Sequence, residues 1–266
     1  GLEEAAAAAR GADAAVVAAG NHALVGAREC IDRDNLDLPE QMVQLLETVS
    51  RANSNTILSI VSGYPYAITA QAPCARGIIY TAHGAQELGT ALGEVLSGAY
   101  NPAGRLSMTW YSDSKDLPDI NDYDIIKNKC TYLYCDKPVL YPFGYGLSYT
   151  SFAYGDLAVS PDKDGVSVSF TVKNTGALAG DETAQVYLAS MRRDIPRPRK
   201  QLCGFERIHL KPGETASLLF IVPAAELAYW DEEAGDFRVD AGEYCFMAGA
   251  GSADIRDSRI ISWSVT

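Results

Sequence analysis

The chain has few histidines and methionines, and it has no long run of apolar residues. Its 266 residues include three His and four Met, and 47% are hydrophobic. No stretch reaches the roughly 18 apolar residues that a membrane-spanning helix needs, so we expect no membrane partner. The first ten residues, GLEEAAAAAR, are acidic where a secretory signal peptide is basic. These absences favour a cytoplasmic protein and leave its oligomeric state open.

Clusters of basic residues are also missing. The chain has 34 Asp and Glu against 22 Lys and Arg, which gives a formal net charge of -12. Because binding to a phosphate backbone depends on clustered Lys and Arg, we expect no nucleic-acid partner.

Several catalytic and cofactor motifs are absent. The chain contains no G-x-G-x-x-G after a strand, no phosphate-binding P-loop, no G-x-S-x-G and no H-E-x-x-H. We therefore expect no nucleotide, no metal and no other cofactor. His22 follows an apolar run directly, so it is either a ligand to substrate at a strand end or a solvated loop histidine.

The six cysteines are sparse for a fold held together by disulfides. They are Cys30, Cys74, Cys130, Cys135, Cys203 and Cys245. We expect mostly reduced thiols, with a Cys130–Cys135 bridge as the alternative.

The first half of the chain alternates helical and strand-like segments. An Ala-rich helix ends at Gly11, and later apolar residues recur at helical spacing after Pro39. The short apolar runs predict strands buried on both faces. This order predicts a mainly parallel sheet with helices on both faces. The predicted strands are 12–20, 55–63 and 76–83, and the predicted helices are 1–11, 38–52 and 85–98.

The pattern changes to strict alternation after Tyr149. Segments such as GVSVSFTVKNTG (165–176) and GEYCFMAGAG (242–251) alternate apolar and polar residues between turn signals. About seven such strands predict an antiparallel β-sandwich. We therefore predict one domain over 1–149 and a second over 150–266, with Trp230 and Trp263 in the core or in an interface.

Charged residues are concentrated in GARECIDRDNLDLPEQ, residues 26–41. Arg28, Glu29, Asp32, Arg33 and Asp34 fall within seven positions, shortly after the first predicted strand. Most such clusters are solvated loops in which exposed ion pairs contribute little. Parallel sheets, however, bind ligands at the carboxyl ends of their strands, where this segment lies.

Long motifs give the chain a specific resemblance. YPFGYGLSYT (141–150) and GFERIHLKPGE (204–214) are the most distinctive, and they occur with YNPAGRLSMTWY, VSFTVKNTGALAGDETAQVYL and FRVDAGEYCFMAGAGSADIR in this order. The chain resembles the C-terminal half of glycoside hydrolase family 3, the β-glucosidase and β-xylosidase family. The resemblance implies an α/β sandwich domain that lacks its N-terminal strand, followed by a fibronectin type III-like domain. The family's catalytic barrel is not in this chain.

The resemblance also implies a role for the charged segment. The family carries its general acid/base on a loop like ECIDRDNLDLPEQ, which places Glu29 in that role. Cys30 stands where the family often has Gly, so the loop departs from the common pattern there. Asp32 and Arg33 are expected to fix the loop through a charge-assisted bond, and Arg28 to contact substrate. Glu87, at the start of a helix, is the second candidate carboxylate, although such a position is also typical of a helix cap.

Two functions remain open at this point. The first is part of a retaining β-glycosidase for terminal glucose or xylose, with an oligosaccharide or aryl glycoside as substrate and an Asp nucleophile on the barrel. This chain alone would then be inactive. The second is a carbohydrate-binding or scaffolding module without chemistry. The aromatic run at Tyr141, Phe143, Tyr145 and Tyr149 either stacks on sugar or packs a domain junction.

Overall fold

The computed structural model describes residues 1–22 and 30–264. They form two compact units. The first unit comprises residues 1–93, 110–123 and 138–141, and the second comprises 94–109, 124–137 and the chain from Pro142 onwards. The domain boundary predicted between residues 149 and 150 stays a prediction.

A three-stranded parallel sheet organises the first unit. The strand order is β1-β2-β3, with Ala15 opposite Thr56 and Ile57 opposite Gly77. The predicted helices and strands are confirmed, and α3 is followed by Gly98 at φ 77°, a conformation that favours glycine. The elements are α1 (Leu2–Arg10), β1 (Ala15–Gly20), α2 (Glu40–Ala52), β2 (Thr56–Val61), β3 (Gly77–Thr81) and α3 (Leu88–Ser97).

The strands of this sheet differ in burial, which corrects one expectation. Leu58 and Ile60 of β2 are fully buried, as a doubly covered strand requires. In contrast, Val16 of β1 is 50% exposed and no residue of β3 is buried. Helix α2 packs against β1 and β2 and buries Leu46 and Val49. The prediction that all three apolar runs are buried on both faces is therefore wrong for β1 and β3.

Seven long strands form the predicted β-sandwich of the second unit. One sheet has the order β12-β11-β6-β7 and the other has the order β4-β5-β8. The short strands β9 and β10 form a separate hairpin, and a one-turn helix, α4 (Thr131–Tyr134), precedes the sandwich. The strands are β4 (Phe152–Asp162), β5 (Gly165–Asn174), β6 (Gly180–Ser190), β7 (Gln201–Leu210), β8 (Thr215–Pro223), β9 (Tyr229–Asp231), β10 (Asp236–Arg238), β11 (Gly242–Gly251) and β12 (Asp254–Trp263).

The sandwich core comes from the inward side chains of both sheets. Val168 and Phe170 on β5 meet Val186 on β6 and Phe246 on β11, all of them buried. Trp263 lies in this core. The fold class predicted from the sequence, an α/β sandwich domain followed by an all-β sandwich, is confirmed.

Strand β6 is also covered on its outer side. Tyr187 is fully buried and meets Tyr132 of α4 edge-on, with ring centroids 6.2 Å apart. Tyr132 in turn stacks on Phe143 at 4.1 Å. The Gln185 amide donates to the carbonyl oxygens of Gly144 and Ala250, at 3.2 and 2.8 Å. The segments that precede the sandwich therefore form a layer over its central strand.

Two further predictions concern the cysteines and membrane-spanning helices. All six cysteines are free thiols, so the alternative of a Cys130–Cys135 bridge is not realised. Among residues 1–22 and 30–264, no helix has the length and apolar character to cross a membrane.

Candidate functional site

The carboxyl ends of the three parallel strands bring distant polar residues together. Asn21 follows β1, and its backbone N–H donates to the Val61 carbonyl at 3.2 Å. Its side-chain oxygen accepts from the N–H of Gly63, which follows β2, at 3.4 Å. It also lies 3.0 Å from Nε2 of His83, which follows β3. This one amide thus joins the ends of all three strands.

His83 is a member of this edge that the motif search missed. It lies 62 residues from Asn21 in the chain, and no local motif marks it. The signal was its position at the end of the predicted strand 76–83, since the ends of parallel strands converge. Because the amide oxygen of Asn21 can only accept, Nε2 of His83 is the donor in this hydrogen bond.

Residues 23–29 lie outside the described part of the chain. Arg28 and Glu29 are among them, so their predicted roles stay predictions. His22, directly before the segment, is exposed.

Arg33 holds the chain on the other side of that segment. Its Nη1 donates to the Pro65 carbonyl at 2.9 Å, and its guanidinium lies 3.7 Å from the centroid of the Tyr64 ring. Tyr66 is the next ring, at 5.4 Å. Burial lowers the pKa of Arg33, while Tyr64 and Tyr66 oppose the shift. Because an arginine remains protonated near neutral pH even so, Arg33 is a fixed positive charge at this edge.

Tyr66, beside Arg33, is a buried phenol that stays protonated near neutral pH. Burial, followed by the neighbouring Tyr64, raises the pKa of Tyr66 to about 12. Tyr66 is 2% exposed. The pair forms an aromatic support, with ring centroids 5.6 Å apart, on which the arginine is oriented.

An open pocket of about 580 Å³ lies next to Arg33. Four of its eleven lining residues are acidic and one is basic, which suits a neutral, hydroxyl-rich ligand better than an anion. Asp32, exposed at this pocket, makes no hydrogen bond or ion pair among the described residues. Arg33 donates to the Pro65 carbonyl and not to Asp32, and the loop-fixing roles predicted for both residues stay predictions. The lining residues are Asp32, Arg33, Asp34, Asn35, Asp37, Leu38, Pro39, Glu40, Val43, Tyr66 and Gln71.

The chain after Arg33 is held by burial and hydrogen bonds. Leu36 and Leu38 are 8% and 6% exposed. The Leu36 N–H donates to Ser114 Oγ at 2.8 Å, and its carbonyl accepts from the Ala67 N–H at 2.8 Å. The L-x-L spacing of the sequence thus places two leucines in the core and directs Asp37, which lies between them, to solvent.

Cys30 begins this stretch with unusual backbone geometry. Its φ is +62°, in the left-handed region that glycine adopts at little cost. Cys30 therefore occupies a backbone conformation that glycine adopts with less strain. This agrees with the frequent glycine at this position in the family that the sequence resembles.

Glu87 and two residues of the aromatic run, Tyr141 and Tyr149, have contacts of their own within each unit. Glu87 is exposed directly before α3, where its carbonyl accepts the Ala91 N–H at 3.0 Å. Tyr141 packs edge-on against Trp110 at 6.0 Å. Tyr149, 48% exposed, donates its hydroxyl to the Val95 carbonyl at 2.8 Å. No group of three or more metal-ligating side chains occurs among the residues described.

Comparison with known protein families gives two matches. Residues 1–149 match the glycosyl hydrolase family 3 C-terminal domain. Residues 182–252 match a fibronectin type III-like domain.

Similar proteins are glycosidases by name. The chain is 37% identical over 225 residues to a xylan 1,4-β-xylosidase of Xylanibacter ruminicola, covering 84% of this chain and 26% of that protein. It is 36% identical over 242 residues to a β-glucosidase of Kluyveromyces marxianus, covering 85% of this chain and 28% of that protein. The chain therefore spans only about a quarter of the length of these relatives.

Solved structures agree over almost the whole chain. The β-glucosidase from Kluyveromyces marxianus in complex with glucose superposes with a TM-score of 0.91 at 33% identity, over 99% of this chain and 33% of that one. A family 3 β-glucosidase from Bifidobacterium adolescentis gives 0.90 at 31% identity, over 98% of this chain and 40% of that one.

Proposed function

This chain belongs to glycoside hydrolase family 3, and from that premise we propose that it is part of a retaining, exo-acting β-glycosidase for terminal glucose or xylose. In this proposal Glu29 is the general acid/base. The nucleophilic Asp belongs to the catalytic barrel of the same enzyme, outside this chain. The substrate is an oligosaccharide or an aryl glycoside.

One observation carries the proposal: the residues on either side of segment 23–29 are anchored at the same edge of the parallel sheet. Asn21 bonds to the loop after β2 and to His83 after β3. Arg33 bonds to Pro65 and stacks on Tyr64, also in the loop after β2. Asn21 and Arg33 thus lie at the carboxyl edge of the parallel sheet, which is where parallel α/β sheets bind their ligands.

The chemistry needs two carboxyl groups about 5–5.5 Å apart. One attacks the anomeric carbon, and the glycosidic bond breaks as the other protonates the departing oxygen. The second carboxylate then takes a proton from water, which attacks the glycosyl-enzyme and releases the sugar. An acid/base on this chain cannot complete that cycle without its partner, so the 266-residue chain by itself should release no nitrophenol from aryl glycosides.

The decisive experiment replaces Glu29 by Gln in the full-length enzyme. Natural glycosides, whose leaving groups need protonation, should lose roughly 10²–10⁴-fold in kcat. Activated aryl glycosides should still form the glycosyl-enzyme, and azide, which needs no deprotonation, should then restore turnover as a glycosyl azide.

Glu87→Gln is the matched control, because it removes the other candidate carboxylate. It should keep a wild-type rate. Azide rescue of Glu87→Gln, or an unchanged rate in Glu29→Gln on a natural disaccharide, contradicts the assignment. If neither variant loses activity while the enzyme still binds sugar, the non-catalytic carbohydrate-binding alternative is supported.

A further inference from the structure

Two large aromatic side chains are exposed on a small hairpin of the second unit. Trp230 of β9 lies directly opposite Phe237 of β10. Trp230 is 53% exposed and Phe237 is 68% exposed. Their rings meet edge to face, with centroids 5.3 Å apart. We call this pair the aromatic platform.

The opposite face of the hairpin is anchored. Alternation along a strand directs Tyr229 away from Trp230, and the Arg197 guanidinium lies 4.7 Å from the Tyr229 ring. Arg197 also donates to the Leu227 carbonyl at 2.8 Å. Asp231 pairs with Arg238 across the hairpin at 3.3 Å.

The turn of the hairpin is fixed as well. Asp231 Oδ1 accepts the backbone N–H groups of Glu233 and Ala234, both at 3.0 Å, and Gly235 adopts φ 63°. Because the backbone is held in this way, a ligand that covers the aromatic platform does not have to order the hairpin. Rigid aromatic side chains give contact area at a low entropic cost.

The charges around the aromatic platform restrict its ligand. Glu232 and Glu233 are exposed in the turn, and their carboxylates make no hydrogen bond or ion pair among the described residues. Such a surface repels anions and offers acceptors to hydroxyl groups. A neutral ligand with apolar C–H faces and many hydroxyls satisfies both the rings and the carboxylates.

We propose that the aromatic platform binds a β-linked oligosaccharide, with one sugar ring stacked on Trp230, a neighbouring sugar ring against Phe237, and hydroxyls donated to Glu232 or Glu233. This inference rests on the proposed glycosidase function, since it makes the second unit a contact for longer substrates of that enzyme. A cross-strand aromatic pair also stabilises a hairpin by itself. The test must therefore separate sugar binding from folding.

The chain offers a direct optical probe. It contains three tryptophans, of which Trp110 is 1% exposed and Trp263 is 9% exposed. Acrylamide quenching of the 266-residue chain should therefore report mainly on Trp230. Cellohexaose or xylohexaose should protect this emission, whereas glucose and xylose should protect it less, because a single ring cannot cover both aromatic side chains.

Affinity electrophoresis in gels containing soluble xylan or mixed-linkage β-glucan gives the mutational test. Trp230→Ala and Phe237→Ala should weaken retardation by roughly tenfold in apparent affinity, the size expected from one lost aromatic contact. Trp230→Tyr keeps an aromatic pair across the hairpin and should retain measurable retardation. Phe205→Ala is the control, because Phe205 is 66% exposed on β7, away from the hairpin.

Several results would overturn the proposal. One is that polysaccharide gels retard wild type and Trp230→Ala equally. Another is that neither hexasaccharide protects Trp230 from acrylamide quenching. A change from dimer to monomer in Trp230→Ala by sedimentation, without sugar binding, would assign the platform to self-association instead. Glu29→Gln should bind the polysaccharides like wild type. If Trp230→Ala binds the polysaccharides like wild type, the azide-rescue experiment on Glu29 is not affected. If azide rescue fails, binding of polysaccharide to the aromatic platform can still be measured.

Discussion

The parallel sheet and the β-sandwich bury their apolar residues to different degrees. In the sandwich, Val168, Val186 and Phe246 are completely buried between two sheets of this chain. In the parallel sheet, Val16 is 50% exposed, and no residue of β3 or α3 is buried. In the sandwich each sheet covers the inner face of the other, whereas in the described part of the first unit the sheet is covered mainly by α2 on β1 and β2. Burial depends on the partner layer and not on the hydrophobicity of a strand alone.

The largest expected effect on stability comes from a comparison in which one side chain is truncated in each unit. Phe246→Ala should lower the free energy of unfolding by about 3–5 kcal/mol, since it removes a fully buried ring and leaves a cavity. Val16→Ala should change it by at most about 0.5 kcal/mol, because that side chain is already half in water. Urea unfolding followed by circular dichroism measures both. Similar losses in the two variants would show that exposure does not distinguish the units.

The second unit also buries a pair of opposite charges, which is a further difference from the parallel sheet of the first unit. Arg105 Nη2 lies 2.7 Å from Glu182 Oε2, and these side chains are 9% and 2% exposed. Tyr154 donates its hydroxyl to Glu182 Oε1 at 2.7 Å. Burial, followed by the adjacent Glu182, raises the pKa of Tyr154 well above its usual range, so the phenol stays a donor.

Removing one partner of that pair should be costly. Arg105→Met leaves the Glu182 carboxylate buried without its cation, for an expected loss of about 3–5 kcal/mol. The double variant Arg105→Met/Glu182→Gln keeps an acceptor for Tyr154 and removes the stranded charge. It should therefore be more stable than Arg105→Met alone. Additive losses in a double-mutant cycle of urea midpoints would argue against the ion pair.

Much of the fold could be predicted because its signals are local. Apolar spacing after Pro39 predicts α2, and alternation after Tyr149 predicts the sandwich strands. Double burial of β6 was not predictable, since Gln185 and Tyr187 are covered by residues about 40 to 55 positions earlier in the chain. The exposure of Trp230 was equally hidden, because a single aromatic residue does not reveal which face of a hairpin it occupies.

In the candidate site, too, local signals could be predicted and long-range contacts could not. The position of Asn21 and Arg33 at the carboxyl edge of the parallel sheet could be predicted from element order alone. The contacts of Arg33 with Tyr64 and Pro65, and the bond between His83 and Asn21, could not. Each joins the ends of different strands, and only the register of the sheet brings them within reach.

A smaller and pH-dependent effect is expected at the surface of the sandwich. Asp181 accepts from Arg207 Nε at 2.7 Å and lies 2.6 Å from His209 Nδ1. Burial opposes ionisation of Asp181, but the bonds from His209 and Arg207 together outweigh it and lower its pKa below the ordinary value of 3.8. A carboxyl with a lowered folded-state pKa stabilises the fold above the unfolded value, and the stabilisation is lost as the pH falls through the folded value.

Asp181→Asn should therefore cost about 1 kcal/mol at pH 7, near the upper end for partly exposed pairs. The difference from wild type should shrink as the pH falls below about 4, where the unfolded carboxyl becomes protonated. Glu206→Gln is the control, since its carboxylate on β7 is exposed and has no partner among the described residues. Thermal melts from pH 7 to pH 3 measure the trend, and a constant difference across that range would exclude Asp181 as its source.

The smallest effect concerns the backbone at Cys30, in the first unit. A non-glycine residue at φ +62° is strained by roughly 1–2 kcal/mol, which Cys30→Gly relieves. Glycine also adds freedom to the unfolded chain, worth about 0.5–1 kcal/mol in the opposite direction. Cys30→Gly should thus change the free energy of unfolding by only a few tenths of a kcal/mol to about 1 kcal/mol, toward greater stability. Cys30→Val adds a β-branched side chain to the strained conformation, so it should be less stable than wild type by about 1 kcal/mol or more. Urea midpoints for the three proteins decide the matter, because a stability order other than Gly, Cys, Val would mean that the left-handed backbone is not the constraint at this position.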